Sequence, residues 1–208
     1  MKLKWIVLSG ASGILAVLLA CLASARGGNA VSSTPFIALS SVSVPEIPAK
    51  AADLVDLAAV SDRKQTAQDV LRAVSAVARP GVLPYVVSAI CHGNPDVAES
   101  TVATAIELQP EDVVIFSKAA LCAAPGQVEQ IVFSACKAAP ASCMAVAMVA
   151  FRQLPSANDS ILAGLARARP DLELYVEEAE IQAGTNDFEA VIKQTVRLFN
   201  DAAKAQPK

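Results

Sequence analysis

Apolar residues recur along most of this chain with a helical period, and proline punctuates them. Pro80, Pro95, Pro110, Pro125, Pro140, Pro155 and Pro170 stand 15 residues apart, and a fixed internal period of this kind marks a repeat architecture. With each proline as position 1, positions 4, 7, 8, 11 and 12 are mainly apolar. In the window from Pro125 they are Val128, Ile131, Val132, Ala135 and Cys136. This is the i, i+3, i+4, i+7, i+8 stripe of an amphipathic helix, and no period-two alternation competes with it.

Charge gives the helices a direction. Asp96, Glu99, Glu111, Asp112, Glu129, Asp159 and Asp171 fall early in their windows, whereas Lys137, Arg152, Arg167 and Arg169 fall late, as the helix dipole favours. Proline suits a first turn and keeps the residue before it out of helical geometry, so each window predicts one helix of about 11–12 residues. Links of two or three residues make neighbours antiparallel. Alanine at position 11 of four windows (Ala105, Ala120, Ala135, Ala150) lets helices approach closely. The expectation is an all-α fold: a right- or left-handed α-solenoid of short antiparallel helices, one helix per 15-residue repeat and 30 residues per hairpin layer.

The expected organisation is 1–25 signal peptide or membrane anchor, 26–48 linker rich in Ser, Pro and Gly, and 49–204 helical-repeat domain. Within the last, 49–79 holds helices near 49–60 and 64–79, 80–184 holds the seven windows, and 185–204 a C-terminal capping helix. In the last window Glu173, Glu177 and Glu180 occupy core positions, and the apolar face shifts to Leu172, Val176, Ala179 and Ala183, as a terminal repeat would. Gly184 is the expected C-cap, and Asn186 with Glu189 a capping pair for the final helix. The alternative for 26–48 is an extended segment lying along the first helices. The layout resembles in kind the tetratricopeptide and HEAT-type helical repeats. The period of about 34 residues with its Trp, Leu-Gly and Tyr marks is absent, so no residue role carries over.

The N-terminus adds an address. Lys2 and Lys4, the apolar stretch Ile14–Leu22 and Ala23-Ser24-Ala25 read as a cleaved export signal. The uncharged run Trp5–Ala25 is also long enough to span a bilayer uncleaved, and Leu18-Leu19-Ala20-Cys21 offers Cys21 for lipidation. All three place the remainder outside the cytoplasm, in the periplasm, in the envelope or secreted. Loss of 1–25 removes two lysines and no acid, taking the net charge from −3 to −5. Lys137, Arg152 and Arg167 share position 13, but antiparallel neighbours put Arg152 at the opposite edge, so no nucleic-acid surface is expected.

An exported chain can form disulfides. Cys136 and Cys143 face each other across one link, and Cys91 and Cys122 lie in windows two apart that stack; the expected bridges are 136–143 first and 91–122 second, with free core thiols as the alternative. His92 is the single histidine. It stands next to Cys91, but adjacent helical residues diverge by about 100°, and no second histidine completes a common zinc site. The glutamates near 173–180 lack calcium-loop spacing, and a solvated cap face, paired with Lys193 or Arg197, is expected instead. No phosphate loop, dinucleotide fingerprint or CxxC is present. No catalytic, cofactor or metal residue is expected. The function expected is a non-catalytic module that binds a protein or peptide or scaffolds an envelope assembly. The alternatives are a self-associating structural protein and, further off, an enzyme or a carrier of apolar ligands.

Overall fold

The structure, a computed structural model, describes residues 33–77, 81–183 and 187–205. The expectations for the export segment, Cys21, Pro80, Gly184 and Asn186 lie outside the described residues. The described chain is all-helical, with no strand among the described residues. Its helices are α1 (Ser33–Ser40), α2 (Ile47–Asp56), α3 (Arg63–Val77), α4 (Leu83–Gly93), α5 (Ala98–Leu108), α6 (Val113–Ala123), α7 (Val128–Ala138), α8 (Cys143–Gln153), α9 (Asn158–Ala168), α10 (Glu173–Ala183) and α11 (Phe188–Ala205).

Proline sets the joints, with one refinement. The residue before each ladder proline from Pro95 to Pro170 leaves the helical region, as at Asn94 (φ −134°, ψ 76°) and Ala139 (φ −133°, ψ 76°), because the pyrrolidine ring disfavours α geometry there. Proline then opens a separate 3-10 turn, as at Pro95–Val97, Pro110–Asp112, Pro125–Gln127, Pro140–Ser142 and Pro170–Leu172, before the α-helix starts. At Pro155 the same reversal is a single turn closed by Ala157 N–H to Leu154 O at 3.0 Å. Backbone bonds such as Val97 N–H to Asn94 O, 3.2 Å, occupy orphan first-turn donors, and no capping side chain takes part at these joints.

The helices pack against their neighbours in a repeat-like way. From α1 to α9 each packs most extensively on a helix two positions away, giving one layer of α1, α3, α5, α7 and α9 and another of α2, α4, α6 and α8. Helices two apart run parallel. Asn94 Nδ2 after α4 donates to Asp56 Oδ1 at the end of α2 (2.7 Å), and Cys122 near the end of α6 meets Gln153 at the end of α8 (3.2 Å). Consecutive helices run antiparallel, since Cys136 near the end of α7 touches Cys143 at the start of α8.

The core lies between the layers. It takes the expected positions: Leu83, Val86, Val87, Ile90 and Cys91 in α4, and Val113, Phe116, Ala120 and Leu121 in α6. Ser117 is the polar exception in α6, and its hydroxyl donates to Val113 O at 2.8 Å, so its burial leaves its own group satisfied.

The ends depart from expectation in two places. Residues 33–48, read as part of a linker, include α1 and the start of α2, with Pro35, Leu39 and Ile47 buried. Ser-Thr-Pro at the head of α1 resembles linker composition but is compatible with a helical first turn. At the other end α10 does not continue the second layer. α11 packs on α8 instead, with Phe151 stacked on Phe188 (centroids 4.7 Å apart), and α10 packs on α11. Leu172, Val176 and Ala179 are buried there as the shifted face required. The start of α11 is capped by Asp187, whose Oδ1 accepts from Ala190 N–H at 3.0 Å.

Candidate functional site

Two layers give two outer faces of different chemistry. On α5, α7 and α9 the outward positions carry Glu99, Glu107, Glu129, Lys137, Asp159 and Arg167. The basic side chains there are engaged with their own face. Arg167 pairs with Glu129 at 2.7 Å and stacks 3.8 Å from the Phe133 ring, and Lys137 lies 5.5 Å from the same ring. Arg152 sits on the other layer, beside Glu189 and Lys193. The three position-13 bases therefore form no continuous stripe.

The outer face of α4, α6 and α8 is apolar. Tyr85 is 69% exposed and Ile115 50% exposed, and Met144 and Met148 are half-buried on α8. A groove of about 580 Å³ opens at one end between Val44, Pro45 and Pro48 on one side and Tyr85, Ala89 and His92 on the other. A second, of about 400 Å³, lies between Met144 and Met148 of α8 and Ile192 of α11. The charges on α4, α6 and α8 that border this face are basic: Lys118 and Arg152. This asymmetry escaped the sequence reading because stacking all seven windows superimposes both layers. Comparing only the windows from Pro80, Pro110 and Pro140 exposes it.

All four described cysteines are free thiols. Cys136 and Cys143 are brought together as expected. The Cys136 thiol donates to Cys143 O at 3.8 Å, and the Cys143 thiol to Cys136 O at 3.5 Å. Cys91 and Cys122 have different surroundings: Cys91 is buried between the layers, and Cys122 is exposed with its thiol on Gln153 Oε1. Cys91 and His92 likewise diverge, one buried and the other exposed in the groove wall. Among the described residues no cluster of three or more His, Cys, Asp or Glu is placed to hold a metal ion. Lys193, expected opposite the α10 glutamates, pairs within its own helix with Glu189 at 2.8 Å.

Burial pushes the Cys91 thiol from its ordinary 9.0 up to about 12, because the thiolate would be desolvated. Between pH 9 and 12 the folded chain therefore holds a proton that the unfolded chain has lost. The resulting stability is full below the unfolded value and falls as pH rises toward the folded one. Cys91→Ala is expected to flatten this alkaline slope. Urea midpoints measured from pH 8 upward test it, and a wild-type-to-variant difference that stays constant with pH would refute it.

The chain matches no family model, and no curated protein or solved structure is similar to it at a significant level. Among the described residues no helix is long and apolar enough to cross a membrane.

Proposed function

We propose that this chain is an exported α-solenoid, built of 15-residue single-helix units, that binds an apolar segment of another envelope protein along the outer face of α4, α6 and α8. The observation that carries this reading is the exposed row of Tyr85 and Ile115 with half-buried Met144 and Met148 beyond it. An exposed apolar row on one layer, opposite a charged layer, is how a soluble repeat array presents a contact surface. Lys118 and Arg152 at its border favour a partner segment with acidic residues flanking its apolar ones. Tyrosine and methionine suit the role, the first as a rigid anchor and the second as an adaptable one. Signal cleavage, an uncleaved N-terminal anchor or a lipid on Cys21 would each deliver this face to the envelope.

Capture of partners from the native envelope, followed by titration with the captured segment, tests the reading. Tyr85→Asp and Ile115→Asp are each expected to weaken binding by roughly 30-fold, the effect of losing an anchor worth about 2 kcal/mol. Glu99→Ala on the opposite layer is expected to leave it unchanged. Equal losses from both layers would refute the assignment. Light scattering is expected to find a monomer; association abolished by Ile115→Asp would favour the self-associating alternative.

A further inference from the structure

We propose that Cys136 and Cys143 form a thiol–disulfide exchange pair, which a small-molecule disulfide oxidises to a bridge across the α7–α8 joint. Three observations place the chemistry there. The two residues exchange thiol-to-carbonyl hydrogen bonds of 3.8 and 3.5 Å, so they lie side by side on antiparallel helices. Cys143 is the first residue of α8, an 11-residue helix, whose N-terminal dipole favours a thiolate. Arg169 supplies a guanidinium beside Cys143. That guanidinium is fixed by two bonds to Asp171, of 2.8 and 2.6 Å, and one to Pro140 O at 3.3 Å.

These contacts divide the roles. A thiol-to-thiol hydrogen bond from Cys136, distinct from its bond to the Cys143 carbonyl, and the charge of Arg169 hold Cys143 below the ordinary thiol value, at about 7, and that thiol-to-thiol bond raises Cys136. Cys143 is therefore the attacking sulfur and Cys136 the resolving one. The Cys143 thiolate attacks one sulfur of the oxidant, and the oxidant's S–S bond breaks to release one thiolate. Cys136 then gives up its proton and attacks Cys143 Sγ; the mixed disulfide breaks and the second thiolate leaves. The protein dithiol loses two electrons, and the oxidant becomes two thiols carrying the two protons. Cys136 is 0% and Cys143 2% exposed, so a small oxidant, reaching them as the exposed Pro140-Ala141 turn opens, fits better than a protein one. Cys122 is exposed with no neighbouring thiol among the described cysteines and stops at a mixed disulfide; Cys91 is buried and protonated.

The test incubates the reduced full chain with glutathione disulfide, quenches with an alkylating reagent and maps peptides. A 136–143 crosslink is expected, with glutathione retained on Cys122 and Cys91 alkylated only after unfolding. In Cys136→Ala the glutathione adduct accumulates on Cys143; in Cys143→Ala, Cys136 stays an unmodified thiol. Arg169→Gln slows crosslinking about three- to tenfold, since loss of thiolate is partly offset by higher intrinsic nucleophilicity. Circular dichroism checks the fold of each variant, and the unsubstituted chain decides the pairing without any. Free thiols at 136 and 143 once Cys122 is fully converted, an adduct on Cys136 in place of Cys143, or a bridge to Cys91 or Cys122 would overturn the proposal.

Discussion

Phe116→Ala is expected to lower folding stability by about 3–5 kcal/mol, the usual cost of truncating a buried phenylalanine. Phe116 is the largest fully buried side chain among the described residues, at 0% exposure. It sits at position 7 of the window from Pro110, in α6, and α6 packs on α4 and α8 within its layer and on α5 and α7 across it. In a linear array each element is held by its neighbours alone, so a cavity there weakens the coupling between the two ends. With about 5–15 kcal/mol available to a whole domain, that loss is a large share. Urea unfolding followed by circular dichroism is expected to show an earlier and broader transition, since the halves on either side of α6 no longer melt together. Ile115→Ala, one residue away but half exposed, is expected to shift stability by no more than about 0.5 kcal/mol. Comparable losses from the two variants would refute the assigned core.

Gly164→Ala is expected to destabilise the chain although it removes a glycine from the middle of α9. In an open helix the exchange gains up to about 1 kcal/mol. Here a Cβ would lie 2.6 Å from the Glu129 carbonyl oxygen and 3.1 Å from Val132 Cβ. The nearer obstacle is α7 backbone, which cannot rotate away, so α9 must move outward. Overpacking of this kind costs about 1–3 kcal/mol and outweighs the propensity gain. Displacement also loosens the Arg167–Glu129 pair and the stacking of Arg167 on Phe133. At roughly 2–4 °C per kcal/mol for a chain of this size, the melting temperature should fall by several degrees. Gly126→Ala is the control, because nothing lies within 4 Å of its Cβ position. A higher melting temperature for Gly164→Ala would show that α7 and α9 are not in close contact.

The sequence reading succeeded where local and tertiary preferences agree. Proline disfavours helical geometry in the residue before it by local sterics, so the joints at Asn94, Gln109, Ala124, Ala139, Leu154 and Arg169 were legible from their 15-residue spacing. Antiparallel joints then brought Cys136 to Cys143 without further information. The reading failed where composition misleads. Ser33-Thr34-Pro35 looks like linker, yet the helix it opens is kept by what it packs on, with Leu39 buried and α1 set against α3. Helix propensity alone rarely sustains eight residues in water.

By itself, then, the sequence determined the helices of the proline ladder, their direction, their buried stripe and the redirected face of the last window. Each follows from short-range sterics and a periodic pattern. Only the tertiary structure decided that alternate helices form separate layers with unlike outer faces, that α11 takes the place beside α8, and that Arg169 reaches back across the array to Cys143. These depend on which surfaces meet at long sequence separation, and that is set by side-chain volume and packing geometry, not by the period. The ladder of prolines specifies the joints; close contacts such as Gly164 against Glu129 and Phe151 against Phe188 decide how the jointed helices settle on one another.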